Sequence, residues 1–598
     1  MCGVFGIFGE TNENKVNRVL IQADRGLFHR GPDSGSHVLF TNGALLSRRL
    51  AIVDRSGLGE QPMCTPDNRH WLVYNGMLYN YRELREELKN DFEFRSACDT
   101  EVVLAALATW GTTALRRLQG MFALLWWDSR KSELIGAVDQ LGIKPLLYRH
   151  ERHGVLTCCS ELGPLVDADV NSSVDLDVLG TYLNSGALDH SDRTLVSGVK
   201  QLRGGEFLCW NSGSISVKRY FDWNSEVVPL EDMGSDELIE SLRFTLESSV
   251  RKHLLGDSQV GLGLSAGLDS NLLRILLPQD SGAQRVKFFT YATPGTRYDE
   301  SEILTSVDAE AGRQTTRVPV SQETVMRELP TVIEHTLEPL GGLGTLGISM
   351  VYKAASQHGI KVMMSGEGSD DLFGGYARYA DLQNVPNLSN DRTRQILIRA
   401  SDGSLMGGPP LDRHFEFSEI QPDLTAALKY SSGLSPLKVA MWSDLLSLKL
   451  PKLLKFRDRV SMMHSVESRV PFLDLPLVLM ALALPDRYLV SDGVTKVALR
   501  AIASKTALRD IGHSKLGNPV PQREWIKGSL GAWVDGLTVD SILVKRGIVD
   551  GSGFRNQLAI YRASPELGNS FFAWQFANLE LWMRAFESRR TNGGYSDS

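Results

Sequence analysis

The chain begins with Met1-Cys2-Gly3-Val4-Phe5-Gly6, and this stretch sets the expectation for the fold of the first half. Removal of Met1 would make Cys2 the N-terminal residue. Its α-amino group ordinarily has a pKa of about 8 and its thiol one of about 8.5, so one residue would carry both a base and a nucleophile. An N-terminal residue can activate its own side chain in this way. We therefore predict that Cys2 is a nucleophile, although a cysteine at position 2 can also be incidental.

Outward from Cys2, residues 1 to about 210 contain short apolar runs broken by turn residues, which is typical of β-strands. The predicted strands are 3–8, 44–53, 71–74, 121–127, 134–138 and 155–159, and the predicted helices are Tyr81–Leu88 and 100–110. This pattern predicts a layered α+β domain with two sheets. Cys158 and Cys159, as neighbours on a strand, should point to opposite faces as buried thiols.

Length and composition narrow the class of protein. The 598 residues suggest two to four domains, and 42% hydrophobic with 23% charged residues is typical of globular proteins. The net charge of -7 argues against a general nucleic-acid-binding surface. The six cysteines show no C-x-x-C spacing, which fits a reducing cytosol. The sequence has no apolar run of 18 residues and no leader, so we expect a cytoplasmic protein that does not span a membrane. Small molecules are therefore the expected partners.

The hydrophobic period changes after a predicted linker at 221–236. A helix at 236–255 is followed by strands alternating with helices, which predicts a doubly wound parallel sheet. The strands are 260–264, 286–292, 315–320 and 360–364, and the helices are 270–277, 300–311 and Gln322–Thr336. Helical patterns dominate beyond Asp423, and the polar tail 588–598 is predicted to be disordered.

Two loops in this half indicate a nucleotide site. Gly263-Leu264-Ser265-Ala266-Gly267-Leu268-Asp269-Ser270 joins a strand to a helix, so its N–H groups suit phosphate, although an ordinary turn would look similar. Asp269 is suited to Mg²⁺. Ser365-Gly366-Glu367-Gly368-Ser369-Asp370-Asp371 follows another strand, and Asp370 would be a second metal ligand. Because ligands bind outside the carboxyl ends of such strands, the two loops are predicted to face one nucleotide.

A third glycine-rich segment, Gly342-Leu343-Gly344-Thr345-Leu346-Gly347, matches G-x-G-x-x-G. The dinucleotide fingerprint must follow a strand, whereas this segment follows the helical pattern Gln322–Thr336. We predict instead a mobile loop close to the substrate.

The second half resembles the synthetase domain of glutamine-dependent asparagine synthetases. The family's S-G-G-L-D-S and S-G-E-G-S-D-E appear as 265–270 and 365–371, and further similar segments are 457–462, 467–474 and 496–500. The resemblance implies that the following residues bind ATP or pyrophosphate: Leu264, Ser265, Gly267, Asp269, Ser270, Ser365, Gly366 and Glu367. Asp269 and Asp370 would bind Mg²⁺, Lys496 would stabilise charge during adenylation, and Glu338 would be a general base.

The first half resembles the family's class II glutamine amidotransferase domain. The similar segments are Cys2-Gly3, His29-Arg30-Gly31-Pro32-Asp33, 49–54, Asn75-Gly76 and Asp99. The resemblance implies that Cys2 is the nucleophile, that Arg49 binds the glutamine carboxylate and that Asp99 holds its ammonium. Asn75 and Gly76 would form the oxyanion hole.

The resemblance implies an N-terminal-nucleophile αββα sandwich at 1–215, a linker at 216–235 and an ATP-pyrophosphatase domain at 236–587, whose parallel sheet is followed by a helical part. Glutamine would be hydrolysed at Cys2, and ammonia would pass through an internal tunnel to a carboxylate activated as an acyl-adenylate. ATP, Mg²⁺, glutamine and a carboxylic acid are the implied ligands. A homodimer is left open.

Three departures from the family pattern bear on function. Met77 stands where the family has a Glu that helps to fix the ammonium of glutamine, and loss of such a charged hydrogen bond typically costs about 1.5–3 kcal/mol. Leu340-Gly341-Gly342-Leu343 lacks the Asp that usually lies beside the aspartate site. Ala266 replaces a glycine of the phosphate loop. We therefore expect weakened use of glutamine.

Three hypotheses about function remain open at this stage. The chain could make asparagine, or it could amidate another carboxylate such as a sugar acid or a peptide or secondary-metabolite intermediate. It could also be a regulatory or scaffold protein that keeps the fold without paired catalysis.

Overall fold

We analysed a computed structural model of the chain. It describes residues 2–169, 171–228, 230, 234–278, 286–311, 314–382, 407–424, 429, 434–506, 520–566 and 568–591.

The first half is built mainly of antiparallel strands. They are β1 (Cys2–Phe8), β2 (Ser34–Phe40), β3 (Gly43–Arg49), β4 (Met63–Cys64), β5 (His70–Leu78), β6 (Gly120–Asp128), β7 (Glu133–Val138), β8 (Leu147–His150), β9 (Leu156–Cys159), β10 (Val199–Gln201), β11 (Glu206–Asn211) and β12 (Ser214–Arg219). The helices are α1 (Glu13–Gly26), α2 (Tyr81–Leu88), α3 (Asp99–Trp110), α4 (Leu162–Asp167) and α5 (Leu176–Ser185), with 3-10 turns at Phe28–Arg30, Gly57–Gly59 and Gly111–Arg116.

These strands form two sheets that pack face to face. Their orders are β10-β8-β9-β1-β3-β2 and β12-β11-β7-β6-β5-β4. Val4, Leu45, Val73 and Leu125 fill the space between them, α1 packs on β3, and α3 packs on β5 of the other sheet. The predicted αββα sandwich is therefore confirmed. Cys158 packs in this central core and Cys159 in another cluster, on the opposite face as expected.

The second half contains a parallel sheet with helices. Its strands are β13 (Val260–Gly263), β14 (Lys287–Ala292), β15 (Thr315–Pro319), β16 (Val362–Met364) and β17 (Glu467–Arg469). Its helices up to residue 382 are α6 (Trp223–Glu226), α7 (Ser235–His253), α8 (Leu268–Ile275), α9 (Ser301–Ala311), α10 (Gln322–Thr336), α11 (Leu343–Gln357), α12 (Ser369–Leu372) and α13 (Ala377–Leu382).

The strand order β15-β14-β13-β16-β17 confirms the doubly wound prediction, and the four strand pairs are parallel. The chain moves outward from β13 in one direction through β14 and β15, and in the other through β16 and β17. The order therefore reverses between β13 and β16, where the fold places a crevice for a ligand.

The predicted helical part follows. It comprises α14 (Pro436–Ser443), α15 (Leu450–Met462), α16 (Leu475–Ala483), α17 (Val497–Ser504), α18 (Gln522–Lys527), α19 (Ser529–Gly536), α20 (Ile542–Lys545), α21 (Gly551–Ala563) and α22 (Phe571–Thr591), with a π-helix at Asp444–Leu448, 3-10 turns at Pro471–Leu473 and Asp486–Tyr488, and the small strands β18 (Val490–Ser491) and β19 (Val494–Thr495). Within the described ranges no helix is both long and apolar enough to cross a bilayer.

Four expectations need correction. The boundary at 215 falls inside β12, which pairs with β11, and the expected linker contains α6 with Trp223 fully buried. β17 was not predicted, because Glu467-Ser468-Arg469 is polar. The segment 342–347 is not a mobile loop: Gly342 caps α11, and Leu343 and Leu346 are buried. Residues 588–591 continue α22, while the rest of the expected disordered tail lies outside the described residues.

Candidate active site

Cys2 lies at the start of β1, buried in a pocket of the first half. Its backbone nitrogen donates to Asn75 Oδ1 at 2.9 Å, and Gln61 Nε2 lies 3.8 Å from its Sγ. Burial raises the pKa of the Cys2 thiol, and the nearby positive charge of Arg49 only partly offsets this. The thiol therefore needs a base before it can attack a substrate. The backbone nitrogen of Cys2 itself would become a free amine after loss of Met1 and could then serve as that base.

The side-chain amide that holds the Cys2 nitrogen, that of Asn75, has an unused NH2 group. The residue is fully buried, and among the described residues its Nδ2 has no hydrogen-bond partner. The following residue, Gly76, lines the pocket where β5 approaches β6, and a Cβ there would lie 2.2 Å from Met121 O. A buried amide donor without a partner is costly unless a ligand accepts from it. The geometry thus suits an oxyanion.

Arg49 and Asp99 line the same pocket. The Arg49 guanidinium donates three hydrogen bonds to the carbonyls of Val53, Asp54 and Ser56, so two of its five N–H groups remain for a carboxylate. Asp99 Oδ2 accepts from Leu78 N at 2.9 Å. Burial raises the pKa of Asp99, which weakens it as an anionic partner for an ammonium group.

Met77 lines the pocket with an apolar side chain and supplies no charge, as expected from the replacement of the family's Glu. The pocket nevertheless has a second carboxylate besides Asp99, because Glu467 reaches it from β17 of the second half. Burial alone would raise the pKa of Glu467, but Arg469, at 2.5 Å, and Lys144 outweigh burial and lower it to about 2. The second half therefore closes one wall of the Cys2 pocket with an ionised side chain.

A second, larger pocket lies at the carboxyl ends of β13 and β16, where the strand order reverses. Eight predicted residues line it: Leu264, Ser265, Asp269, Ser270, Ser365, Gly366, Glu367 and Asp370. Phe289, Tyr291 and Met363 add an apolar side, and α11 adds Ile348, Val351 and Tyr352. The two predicted loops therefore face one cavity.

The loop after β13 is held by its own side chains. Ser270 Oγ accepts from Ser265 N at 3.1 Å, and Ser265 Oγ accepts from Gly267 N at 3.2 Å. Ala266 N donates to Glu300 Oε2 at 2.7 Å, so a carboxylate already contacts this N–H. These three N–H groups are therefore used within the protein, and a phosphate at this site would accept from the N–H groups of the first turn of α8.

Lys496 lies between the two predicted metal ligands. Its Nζ is 2.6 Å from Asp269 and 2.5 Å from Asp370, in a position where Lys496 itself has a left-handed φ of 56°. Burial lowers the pKa of Lys496, but these two carboxylates more than offset it and the net shift is upward. The Lys496 ammonium thus lies at the point that both carboxylates face. Their oxygens are of the kind that Mg²⁺ prefers, and an ion held by them beside Lys496 would take its other ligands from phosphate and water.

Glu338 and Glu367 differ in their surroundings. Glu367 lines the second pocket and pairs with Arg457. Glu338 is not among the described residues that line this pocket; its carboxylate is buried between Lys455, at 2.5 Å, and Arg459, at 3.4 Å. The role of Glu338 as a general base stays a prediction from the family resemblance.

Sequence reasoning missed several residues of both pockets. Arg457 and Glu467 lie in segments that the family resemblance marked, but nothing in those segments indicates a pocket. Gln61 and Glu300 carry no sequence signal, because their contacts depend on segments that are distant along the chain.

Comparisons with known proteins agree with this architecture. Residues 1–221 match the model of a glutamine amidotransferase domain, and residues 241–584 match that of asparagine synthase. Asparagine synthetase [glutamine-hydrolyzing] 1 of Bacillus subtilis (strain 168) is 30% identical over 579 residues, which covers 90% of each chain. Asparagine synthetase B of Escherichia coli (strain K12) is 28% identical over 413 residues, covering 66% of this chain and 68% of the relative. Amidase chyE of Penicillium rubens is 27% identical over 428 residues, covering 66% and 61%.

Fold, pockets and relatives together define a carbon-nitrogen ligase that takes its nitrogen from glutamine and uses ATP as co-substrate. The chain belongs to the asparagine synthase family.

Proposed function

We propose that the chain amidates a carboxylic acid, with aspartate as the first candidate, by moving ammonia from the Cys2 pocket to the nucleotide pocket. The observation that carries this proposal is the three-residue strand β17. Glu467 at its start lines the Cys2 pocket, and the carbonyl of Arg469 at its end accepts from Ser365 N of the nucleotide loop at 3.0 Å. At about 3.3 Å per residue the two contacts are separated by roughly 7 Å of strand. Such proximity supports transfer through the protein interior.

In the first pocket, Cys2 Sγ attacks the amide carbon of glutamine, and the terminal amine formed by loss of Met1 accepts the thiol proton. The oxyanion takes hydrogen bonds from Asn75 Nδ2 and Gly76 N–H. The terminal ammonium returns its proton to the leaving nitrogen, so that collapse of the adduct releases ammonia and leaves a glutamyl thioester, which water hydrolyses to glutamate. Arg49 binds the α-carboxylate of glutamine and Asp99 binds its α-ammonium. The ionised Glu467 adds a negative charge to the pocket, which Met77 does not supply.

In the second pocket, a carboxylate oxygen of the acceptor attacks the α-phosphorus of ATP and pyrophosphate leaves. The phosphates lie against the loop 265–270, with Lys496 beside them. Asp269 and Asp370 would hold Mg²⁺, which neutralises phosphate charge when bound. Ammonia then attacks the acyl carbon, AMP leaves, and the surplus proton passes to a carboxylate. Two carboxylates are candidates for this base: Glu338, which the family resemblance marks, and Glu367, which lines this pocket and pairs with Arg457.

A different acceptor is the second candidate, and Gly342 favours it. The family's usual Asp is missing from the loop at 340–343, and a Cβ built on Gly342 meets no atom within 4 Å. The open space around Gly342 and the absence of the family's Asp carboxylate suit an acceptor acid larger than aspartate. A relative named as an amidase rather than a synthetase is consistent with acceptors that differ among similar chains.

Pyrophosphate release separates these candidates. The purified chain is incubated with ATP, Mg²⁺, aspartate and either glutamine or ammonium, and intact mass establishes whether Met1 is absent. We expect aspartate-dependent pyrophosphate with both nitrogen donors. Pyrophosphate release with another acid alone would leave amidation but exclude asparagine synthesis. No ATP turnover with any acid would favour a regulatory or scaffold role.

A further inference from the structure

Arg457 is the one cation among the described residues that line the nucleotide pocket. The same pocket has three carboxylates, those of Asp269, Glu367 and Asp370. Asp269 and Asp370 pair with Lys496, whose Nζ lies 2.6 Å and 2.5 Å from them. Arg457 pairs instead with Glu367. The charged groups therefore form two centres, and the reaction described above uses the cation of only the first.

The helix α15 directs Arg457 away from its neighbouring cations. Lys455 and Arg459 are four residues apart on this helix and share one face, where both pair with Glu338. Arg457 lies two residues from each, and at roughly 100° per residue it projects about 200° away from them. It faces α11, which packs on α15 and places Tyr352 beside the guanidinium. The local sequence thus gives the nucleotide pocket one positive charge of its own.

The Arg457 guanidinium has hydrogen-bond donors that its protein neighbours do not use. Its Nη2 donates to Glu367, and the hydroxyl of Tyr352 is the second neighbour. A guanidinium carries five N–H groups, so these two neighbours leave about three of them for a ligand. Arg457 lines the pocket and 15% of its side chain is exposed, so a ligand in the pocket can reach these donors.

The charge of Arg457 suits a carboxylate. Burial would lower the pKa of its guanidinium, but Glu367 and Tyr352 outweigh burial and the net shift is upward. A charged guanidinium commonly binds a carboxylate through two parallel N–H···O bonds, and Glu367 engages it through Nη2 alone. The rest of the planar group therefore remains as a site for a second carboxylate.

The acceptor acid is the ligand that best supplies this carboxylate. One carboxylate of the acceptor reacts with the α-phosphorus of ATP. The phosphates lie beside Lys496, which leaves Arg457 for the other end of the acceptor. An acceptor with an apolar end would desolvate the donors of Arg457 without replacing their hydrogen bonds to water, which is unfavourable.

We propose that Arg457 is a specificity-determining residue that binds a second carboxylate of the acceptor, so that the second pocket takes a dicarboxylic acid. This inference rests on the proposed function, and it applies to aspartate and to a longer diacid alike. Glu367 holds Arg457 from the other side. The contact selects the acceptor and leaves the reaction at Cys2 unaffected.

The test measures ammonium-dependent pyrophosphate release with three pairs of acids that differ by one carboxylate: aspartate and β-alanine, succinate and propionate, glutarate and butyrate. The quantity compared is the ratio of kcat/KM between the diacid and its partner. For the wild-type chain we expect a ratio of about ten to a hundred in at least one pair, as for a charged hydrogen bond gained.

In Arg457→Leu this ratio should fall to about one. Arg457→Lys keeps the charge but loses the planar fork, so it should retain only part of the ratio. Arg546→Leu is the matched control, because Arg546 pairs with Glu587 and is not among the described residues that line the pocket. It should leave the ratio unchanged.

An equal loss of kcat/KM for both acids of a pair in Arg457→Leu would show that Arg457 only holds Glu367, and would overturn the proposal. A higher KM for ATP with an unchanged ratio would assign Arg457 to the nucleotide and overturn it too. If Arg457→Leu does not fold, a wild-type ratio in Arg457→Lys overturns it.

Calorimetric titration of the same acids into the wild-type chain gives a readout that does not depend on turnover. Tighter binding of the diacid in at least one pair is the expected result, and equal binding within every pair overturns the proposal. A wild-type chain that prefers diacids in binding but releases no pyrophosphate refutes the proposed function instead.

Discussion

Replacing Asn75 with alanine tests the Cys2 pocket most directly, because Asn75 combines two separate contacts. Its Oδ1 holds the Cys2 nitrogen at 2.9 Å, and its Nδ2 is buried without a partner among the described residues. Removal of one oxyanion donor typically costs about 2.7–4 kcal/mol, or 10²–10³ in rate. Loss of the bond to Cys2 adds about 1 kcal/mol, less than a further tenfold. We therefore expect glutamate release to fall by about 10²–10⁴.

The assay measures glutamate release from glutamine and, in parallel, pyrophosphate release with ammonium as nitrogen donor. The second rate should not change, since Asn75 contacts Cys2 and is not among the described residues that line the nucleotide pocket. Asn75→Asp is the matched variant: it keeps an oxygen that accepts from the Cys2 nitrogen but removes the donor, so glutamate release should fall at least about 10²-fold. An active Asn75→Asp protein, or an equal loss of the ammonium-dependent rate in Asn75→Ala, would refute this reasoning.

Four further predictions follow from the same geometry. Cys2→Ala should abolish glutamine-dependent amide synthesis and leave the ammonium-dependent rate intact; loss of both would contradict two separate sites. Met77→Glu should lower KM for glutamine by about tenfold, since it adds a carboxylate to hold the ammonium, and an unchanged KM would show that Glu467 already suffices. Asp269→Asn should remove pyrophosphate release with either nitrogen donor, because it loses both a metal ligand and the partner of Lys496; a normal rate would exclude this pocket for ATP. His335 is half-buried, and desolvation together with His29 lowers its pKa to about 3, so the folded state is favoured most above the unfolded pKa of about 6.5 and loses stability as pH falls towards 3. The unfolding temperature should therefore decrease below about pH 6.5, less steeply in His335→Asn, with exposed His414→Asn as control.

Much of the fold could be predicted from the sequence wherever the spacing of apolar residues matches the period of the helix or strand that forms there. Helices α2 and α10 begin and end at the predicted residues, because their apolar positions recur at helical spacing. β17 could not be predicted, because a strand of Glu467-Ser468-Arg469 satisfies its polar side chains only through tertiary partners. The glycine-rich segment 342–347 is predicted to be a mobile loop because it follows a helical pattern and not a strand, whereas burial of Leu343 and Leu346 makes it the first turns of α11.

The residues of the candidate site also divide into those that a local pattern predicts and those whose positions depend on tertiary contacts. The strand-loop-helix pattern at 260–275 predicts a phosphate loop, because each feature is local. The family resemblance marked Glu338 as a base, but its environment is decided by Lys455 and Arg459 and not by its own segment. Arg457 and Glu467 likewise acquire their positions only when distant segments pack together.

The strand β17 changes where the glutamine-hydrolysing unit ends. In chain order that unit would stop near residue 221, yet Glu467 forms part of the wall around Cys2. A protein made of the first 221 residues would retain the thiol, Asn75 and Asp99 but expose one side of the pocket to water. It would bind glutamine in an open cleft and release ammonia directly into solution as ammonium. The complete enzyme for the first reaction therefore includes a segment that lies more than two hundred residues further along the chain.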